Sequence, residues 1–278
     1  MKCMKKFIFA LIVVVGSLFV SCDGCKTKPT PTEETLNISV YLDLSDRLVR
    51  DQTPNQTYRD TAIINYLVDY FKGETLNLNI RKSENKMKVF FYPTPNDSEI
   101  SVLAQGLNVD IGSKKGVAKR KALEKMKEDF QKNLECIYNE TIAEKNWVGS
   151  DIWDFFSSKK VDNLCVKEGA RNIVVILTDG YIFHEKNKIK EGNAYSYILP
   201  QTLAIDSTSL IDRRQGDLKD KGLEVLMLEI NPLQANHRDK MVRILEDWFH
   251  DMGVEKFVVS ETDANLTNTK TIIDSFLQ

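Results

Sequence analysis

The chain alternates between short apolar runs and longer stretches in which apolar residues return every three or four positions. Residues 37–42 (NISVYL), 172–177 (NIVVIL) and Leu223–Ile230 (LEVLMLEI) are nearly unbroken apolar segments, the pattern of strands covered on both faces. Residues 256–260 (KFVVS) predict a fourth strand. Residues 76–80 and 87–92 flank the polar stretch 82–86 and predict an antiparallel hairpin on the same sheet, or an edge excursion. Helical spacing over residues 58–72 places Ala62, Ile63, Tyr66, Leu67, Tyr70 and Phe71 on one stripe, and over residues 241–252 it aligns Ile244, Leu245, Trp248 and Phe249. A long lysine-rich helix is predicted over residues 117–135, its charges forming a solvated face, and a closing helix over 269–277. Strands alternating with helices predict one α/β domain over residues 36–278, with a mainly parallel central sheet and helices on both faces.

The first 35 residues follow a different rule. Lys2, Lys5 and Lys6 precede a charge-free run over residues 7–20, shorter than the roughly 20 residues a membrane span needs, so residues 1–21 read as an export signal. Phe19-Val20-Ser21-Cys22 resembles the lipobox of bacterial lipoproteins, and that resemblance implies that Cys22 becomes the lipidated first residue, anchored to a membrane of the bacterial cell envelope. A plain signal peptide with an incidental thiol, or an uncleaved anchor, is the alternative. Residues 22–35 are Lys, Thr, Pro, Gly and Glu with almost nothing apolar, the composition of a flexible tether. Loss of residues 1–21 removes three lysines and no acid, which takes the formal net charge from −2 to −5. Such a charge gives no field to gather nucleic acid. Of the five cysteines only Cys136 and Cys165 lie in the globular part, where spacing alone does not pair them, and no CxxC pair is matched with a second pair or with paired histidines at zinc spacing.

In a parallel sheet, ligands collect at the carboxyl ends of the strands. The first strand runs into Asp43-Leu44-Ser45-Asp46-Arg47 and the 172–177 strand into Thr178-Asp179-Gly180, while Gly149-Ser150-Asp151-Ile152 opens a short helix. If these ends are neighbours, Asp43, Ser45, Ser150 and Asp179 converge as an all-oxygen set suited to Mg²⁺. Each also has a purely structural explanation: Asp43 and Ser45 as turn residues, Ser150 as a helix N-cap, Asp179-Gly180 as a tight turn.

Taken together, these residues resemble the von Willebrand factor type A (vWA) domains with their metal-ion-dependent adhesion site. The family pattern is D-x-S-x-S after the first strand, a Thr in a later loop that opens a helix, and an Asp after the fourth strand. Asp43 and Ser45 match the first element, Ser150 takes the place of the Thr, and Asp179 matches the last. The resemblance implies a single Rossmann-like domain that is not an enzyme and binds a protein partner, with Mg²⁺ bridging to an acidic side chain of that partner. One position departs from the pattern. Arg47 stands where the second Ser belongs, and a guanidinium cannot coordinate a cation. Pointing inward, it would pair with Asp43 or Asp179 in place of the ion, and Arg47→Ser would then raise cation affinity. Pointing outward, it would leave Asp46 or a water to complete the shell. The polar stretch 49–57 also postpones the first helix, as a binding loop or as decoration.

Two alternatives follow: a metal-free structural or assembly component of an envelope complex, and a phosphohydrolase using Asp43. The second lacks the second acid of a D-x-D pattern, because Ser45 occupies that place. His184, His237 and His250 form no metal or catalytic motif, and Trp147, Trp153 and Trp248 read as core.

Overall fold

The structure, a computed structural model, describes residues 34–77, 79–145, 147–181, 188–191, 194–197, 217–233 and 237–278. All belong to the unit Glu33–Gln278. The expectations for the leader, Cys22, the tether and His184 lie outside these residues.

The elements run β1 (Thr35–Leu42), a 3₁₀ turn (Asp46–Val49), α1 (Gln56–Asn77), β2 (Lys86–Phe90), α2 (Ser98–Gln105), β3 (Asn108–Asp110), α3 (Val117–Ala143), α4 (Ile152–Ser157), α5 (Lys160–Cys165) and β4 (Ala170–Leu177). They continue through a separate antiparallel pair, β5 (Lys188–Glu191) and β6 (Ala194–Tyr197), to β7 (Leu223–Ile230), α6 (Arg238–Asp251), β8 (Lys256–Glu261) and α7 (Thr267–Leu277). Six strands form the central sheet in the order β3-β2-β1-β4-β7-β8. All its pairings are parallel except β2 with β3. This is the mainly parallel, Rossmann-like α/β arrangement that the alternation of strands and helices predicts.

The alternating side chains of β1 explain the two layers of core. Leu36, Ile38, Val40 and Leu42 point to one face, where α1, α3 and α7 contribute Ile64, Leu67, Phe71, Phe130, Leu134 and Ile273. Tyr41 points to the other, where Phe155, Phe156, Trp248 and Phe249 of α4 and α6 pack edge to face or stacked. Burying both faces is what permits the near-continuous apolar strands.

Two expectations are corrected. Residues 76–80 form no strand: α1 continues through Asn77 and a turn follows, with Lys82 N–H and Ser83 N–H both donating to the Asn79 carbonyl. The antiparallel partner of β2 is instead the short β3. The lysine-rich helix α3 is longer than its charge run implied and ends at Ala143, since Phe130, Leu134, Ile137 and Tyr138 continue its buried stripe. One lysine leaves the solvated face: Lys119 Nζ donates to the carbonyls of Arg81 and Ser83, at 3.0 and 2.7 Å. Cys136 is exposed and Cys165 buried, and both are free thiols. Burial pushes the Cys165 thiol up to about 11, the behaviour of an inert core cysteine. Among the described residues no helix is long and apolar enough to cross a membrane.

Candidate functional site

The parallel pairing of β1 with β4 runs in register from Thr35 opposite Ala170 to Leu42 opposite Leu177, so Asp43 and Thr178 emerge side by side at the carboxyl edge. Asp43 N–H still donates to the Leu177 carbonyl. An isolated antiparallel bridge between Leu44 and Gly149 draws in a third segment and sets Ser150 beside the β1 end. Asp43, Ser45, Ser150 and Asp179 thus gather from three segments, and all four are buried.

Each aspartate divides its work. Asp43 Oδ1 accepts from Ser45 N–H at 2.8 Å, an Asx turn, and Oδ2 accepts from the Thr178 hydroxyl at 2.8 Å. Asp179 Oδ1 accepts from Tyr181 N–H at 3.0 Å, and Oδ2 lies 2.5 Å from Arg50 Nη2. Between Asp179 and Tyr181, Gly180 adopts φ 92°, with Met241 Sδ pressed against the place where a Cβ would stand. The turn roles expected of Asp43 and Asp179 are therefore real, and the second oxygen of each is held by another side chain, Thr178 for Asp43 and Arg50 for Asp179. The expected capping role of Ser150 is corrected: Asp151 is the N-cap of α4, accepting from Asp154 N–H at 3.0 Å. The Ser150 hydroxyl donates instead to Tyr41 Oη at 3.1 Å, and Tyr41 in turn donates to the Tyr92 carbonyl. Burial and the Asp43 charge keep Tyr41 protonated far above the usual phenol range.

Arg47 points inward, and its main partner is one that the sequence did not indicate. Its guanidinium grips Asp60 of α1 through Nη1 at 3.3 Å and Nη2 at 2.8 Å, while Nη2 also donates to the Leu177 carbonyl at 3.0 Å and Nε to the Asp43 carbonyl at 3.0 Å. The Asp43 carboxylate is more distant, with Oδ2 at 3.7 Å from Nε. Burial opposes the Arg47 charge, but Asp60 and Asp43 outweigh it and hold the guanidinium above its ordinary range. The network extends through Gln56, which donates to Asp60 Oδ1 at 2.8 Å and Glu229 Oε2 at 3.3 Å, to the Arg59–Glu229 pair at 2.6 and 2.9 Å. Glu229 sits at φ 71° beside a register shift near the end of β7, which turns its carboxylate toward α1. Asp46, by contrast, is exposed.

Seven ionic groups are held together at this edge: the guanidiniums of Arg47, Arg50 and Arg59 against the carboxylates of Asp43, Asp60, Asp179 and Glu229. One negative charge is left over, and it is felt at Asp179. Burial, then the Asp43 carboxylate, push its carboxyl up to about 6 against the pull of Arg50. Burial likewise raises Asp60 to about 6 against Arg47. Two oxygen acids that repel one another, flanked by the hydroxyls of Ser45 and Ser150, form a donor set that fits a hard divalent cation, with Arg50 standing on the outer oxygen of Asp179. Among the described residues no group of three or more His, Cys, Asp or Glu side chains is placed to hold a metal ion.

A carboxyl raised in the folded state binds its proton more tightly than in the unfolded chain, where it titrates near 3.9, so folding gains stability as pH falls through about 6. Asp179→Asn is expected to raise stability at pH 7 and to remove about 2–3 kcal/mol of the pH dependence between pH 7 and 4. Parallel urea melts of the two proteins across that range measure the difference, and identical pH profiles would refute it.

Arg50, Asp60, Gln56, Arg59 and Glu229 escaped the sequence reading. The signal for three of them was present: Gln56, Arg59 and Asp60 precede Ile63, Ile64 and Leu67 at helical spacing and so share the buried face of α1.

No family model matches the chain, and no curated protein matches it. Among solved structures, the chain is similar to the crystal structure of the conserved hypothetical protein BatB from Bacteroides thetaiotaomicron, at 13% identity over 87% of this chain and 97% of that one, with a TM-score of 0.42.

Proposed function

We propose that this chain is a cell-envelope lipoprotein, anchored through Cys22, whose vWA-like domain binds a protein partner at the carboxyl edge of its sheet and catalyses no reaction. The observation that carries this reading is the convergence of Asp43, Ser45, Ser150 and Asp179 from three segments onto one edge. The chain enters β1 at Thr35 and the site lies past the other end of that eight-residue strand, about 26 Å away, remote from where the tether joins. Asp43, Ser45, Ser150 and Asp179 are the residues that would hold Mg²⁺. A bound ion would supply an open Lewis-acid position for a partner's carboxylate. Ser45 stands where a D-x-D phosphohydrolase needs its second acid, which favours binding over a role for Asp43 as a phosphoryl nucleophile.

Arg47 and Arg50 favour a second reading, a metal-free assembly component, because they already place positive charge on the acids that an ion would neutralise. Both readings put the partner at this edge. Photo-crosslinking in intact cells from Val49, which is 52% exposed beside the site, should give a discrete adduct that Asp43→Ala removes. Crosslinking from Val102, 66% exposed on α2, should not. Equal adducts from both positions, or an adduct indifferent to Asp43→Ala, would overturn the site. The anchor is tested separately, by loss of metabolic lipid labelling in Cys22→Ser.

A further inference from the structure

The polar stretch that delays α1 is fastened across the top of the candidate site at three points. Arg50 Nη2 lies 2.5 Å from Asp179 Oδ2, and Arg50 Nη1 donates to the Asn231 carbonyl at 3.0 Å, just past β7. Two residues on, Gln52 Oε1 accepts from Asn231 Nδ2 at 3.1 Å, while its Nε2 donates to Gln56 Oε1 at 2.6 Å in the first turn of α1. Residues 50–56 therefore form a strap tied to the ends of β4 and β7 and to α1.

The two arginines that face the site differ in kind. Arg47 is 1% exposed and makes four hydrogen bonds, two of them in a fork on Asp60, so its removal would leave buried acceptors empty. Arg50 is 21% exposed, with one carboxylate and one carbonyl as its partners, and solvent can receive it when it leaves. It rests on the one Asp179 oxygen that the Tyr181 turn does not use. The cation position is thus filled from within the chain.

We propose that Arg50 is a latch: its guanidinium occupies the seat of the divalent cation on Asp179, and the 50–56 strap must release it before an ion can enter. The proposal rests on the reading of Asp43, Ser45, Ser150 and Asp179 as a cation site. When the competent form is a minor population, the apparent dissociation constant rises by the inverse of that population. The resting domain then binds cations weakly, and whatever draws Arg50 outward arms the site. An acidic group on a partner is the chemistry that would do so, since it offers the guanidinium an equivalent pairing.

The test is Mn²⁺ titration of the mature chain, followed by calorimetry and by loss of the free-ion electron paramagnetic resonance signal. Four proteins are compared: the unaltered chain, Arg50→Ala, Arg50→Lys and the double variant Arg50→Ala/Asp179→Asn, each checked for folding by circular dichroism. Arg50→Ala is expected to bind Mn²⁺ at least tenfold more tightly than the unaltered chain, with Arg50→Lys between them and the gain abolished in the double variant. Equal binding by the unaltered chain and Arg50→Ala would overturn the latch and leave the cation site standing. Silence in both would overturn the latch and the cation site together, while leaving crosslinking from Val49 as an independent measure of the protein-binding edge. A gain that survives Asp179→Asn would also overturn it, because the freed seat would then lie elsewhere.

Discussion

Arg47→Ser is expected to destabilise the domain by about 3–5 kcal/mol, the usual cost of stranding one partner of a buried ion pair. For a domain of this size that is a fall in melting temperature of roughly 10 °C. From the sequence alone the same substitution restores a serine of the D-x-S-x-S pattern and should improve cation binding. The structure adds a large stability cost to that substitution, because the guanidinium is bidentate to Asp60, a carboxylate that is itself fully buried. Serine is too short to reach it, and the carbonyls of Asp43 and Leu177 lose their donor as well. The paired substitution Arg47→Met/Asp60→Leu should recover most of the loss, since apolar residues of similar volume often replace a buried pair at little cost. Thermal and urea melts of the single and double variants check this. A single variant as stable as the unaltered chain would mean that the Arg47–Asp60 pair is not held as described.

Glu229→Ala is expected to cost a similar amount, about 3–5 kcal/mol, for a related reason. It leaves the Arg59 guanidinium, 1% exposed, without a counter-charge, and Gln56 Nε2 keeps only Asp60 as an acceptor. Arg59 and Gln56 lie in the first turns of α1, so the loss should concentrate there and in the strap before it. Hydrogen exchange should therefore speed up over residues 50–60 more than over β4, whereas uniform acceleration would refute a local role. Glu229→Gly should be less harmful to the backbone than Glu229→Ala, because glycine accepts φ 71° without a Cβ clash. The difference between the two variants measures the strain held at the end of β7.

Much of the scaffold could be read from the chain because it depends on local pattern. Unbroken runs such as NIVVIL and LEVLMLEI are stable only where both faces are covered, and they became the central strands β4 and β7. The stripe over residues 58–72 became α1, extended at both ends to Gln56–Asn77. The predicted hairpin failed for a physical reason. Leu76 and Ile80 are short apolar stretches that period alone assigns poorly, and the helix before them was able to continue.

The candidate acids were likewise readable, as polar residues directly after apolar strands. Their charge partners were not. Asp60 looks like an ordinary polar residue ahead of an apolar stripe until α1 packs it against the end of β1, and Glu229 looks like part of an apolar strand until the register shift turns it inward. Arg47 announced itself as a departure from a pattern, yet whether it replaced an ion, faced solvent or served the core depended on a residue 13 positions away. The sequence by itself determined the α/β order of the main strands and helices, the two-faced strands and which oxygen-bearing residues stand at the strand ends, because periodicity and turn chemistry act over a few residues. Only the tertiary structure decided that Arg47 belongs to Asp60 and Arg50 to Asp179, because a buried charge takes whichever opposite charge the packing of distant elements brings within reach.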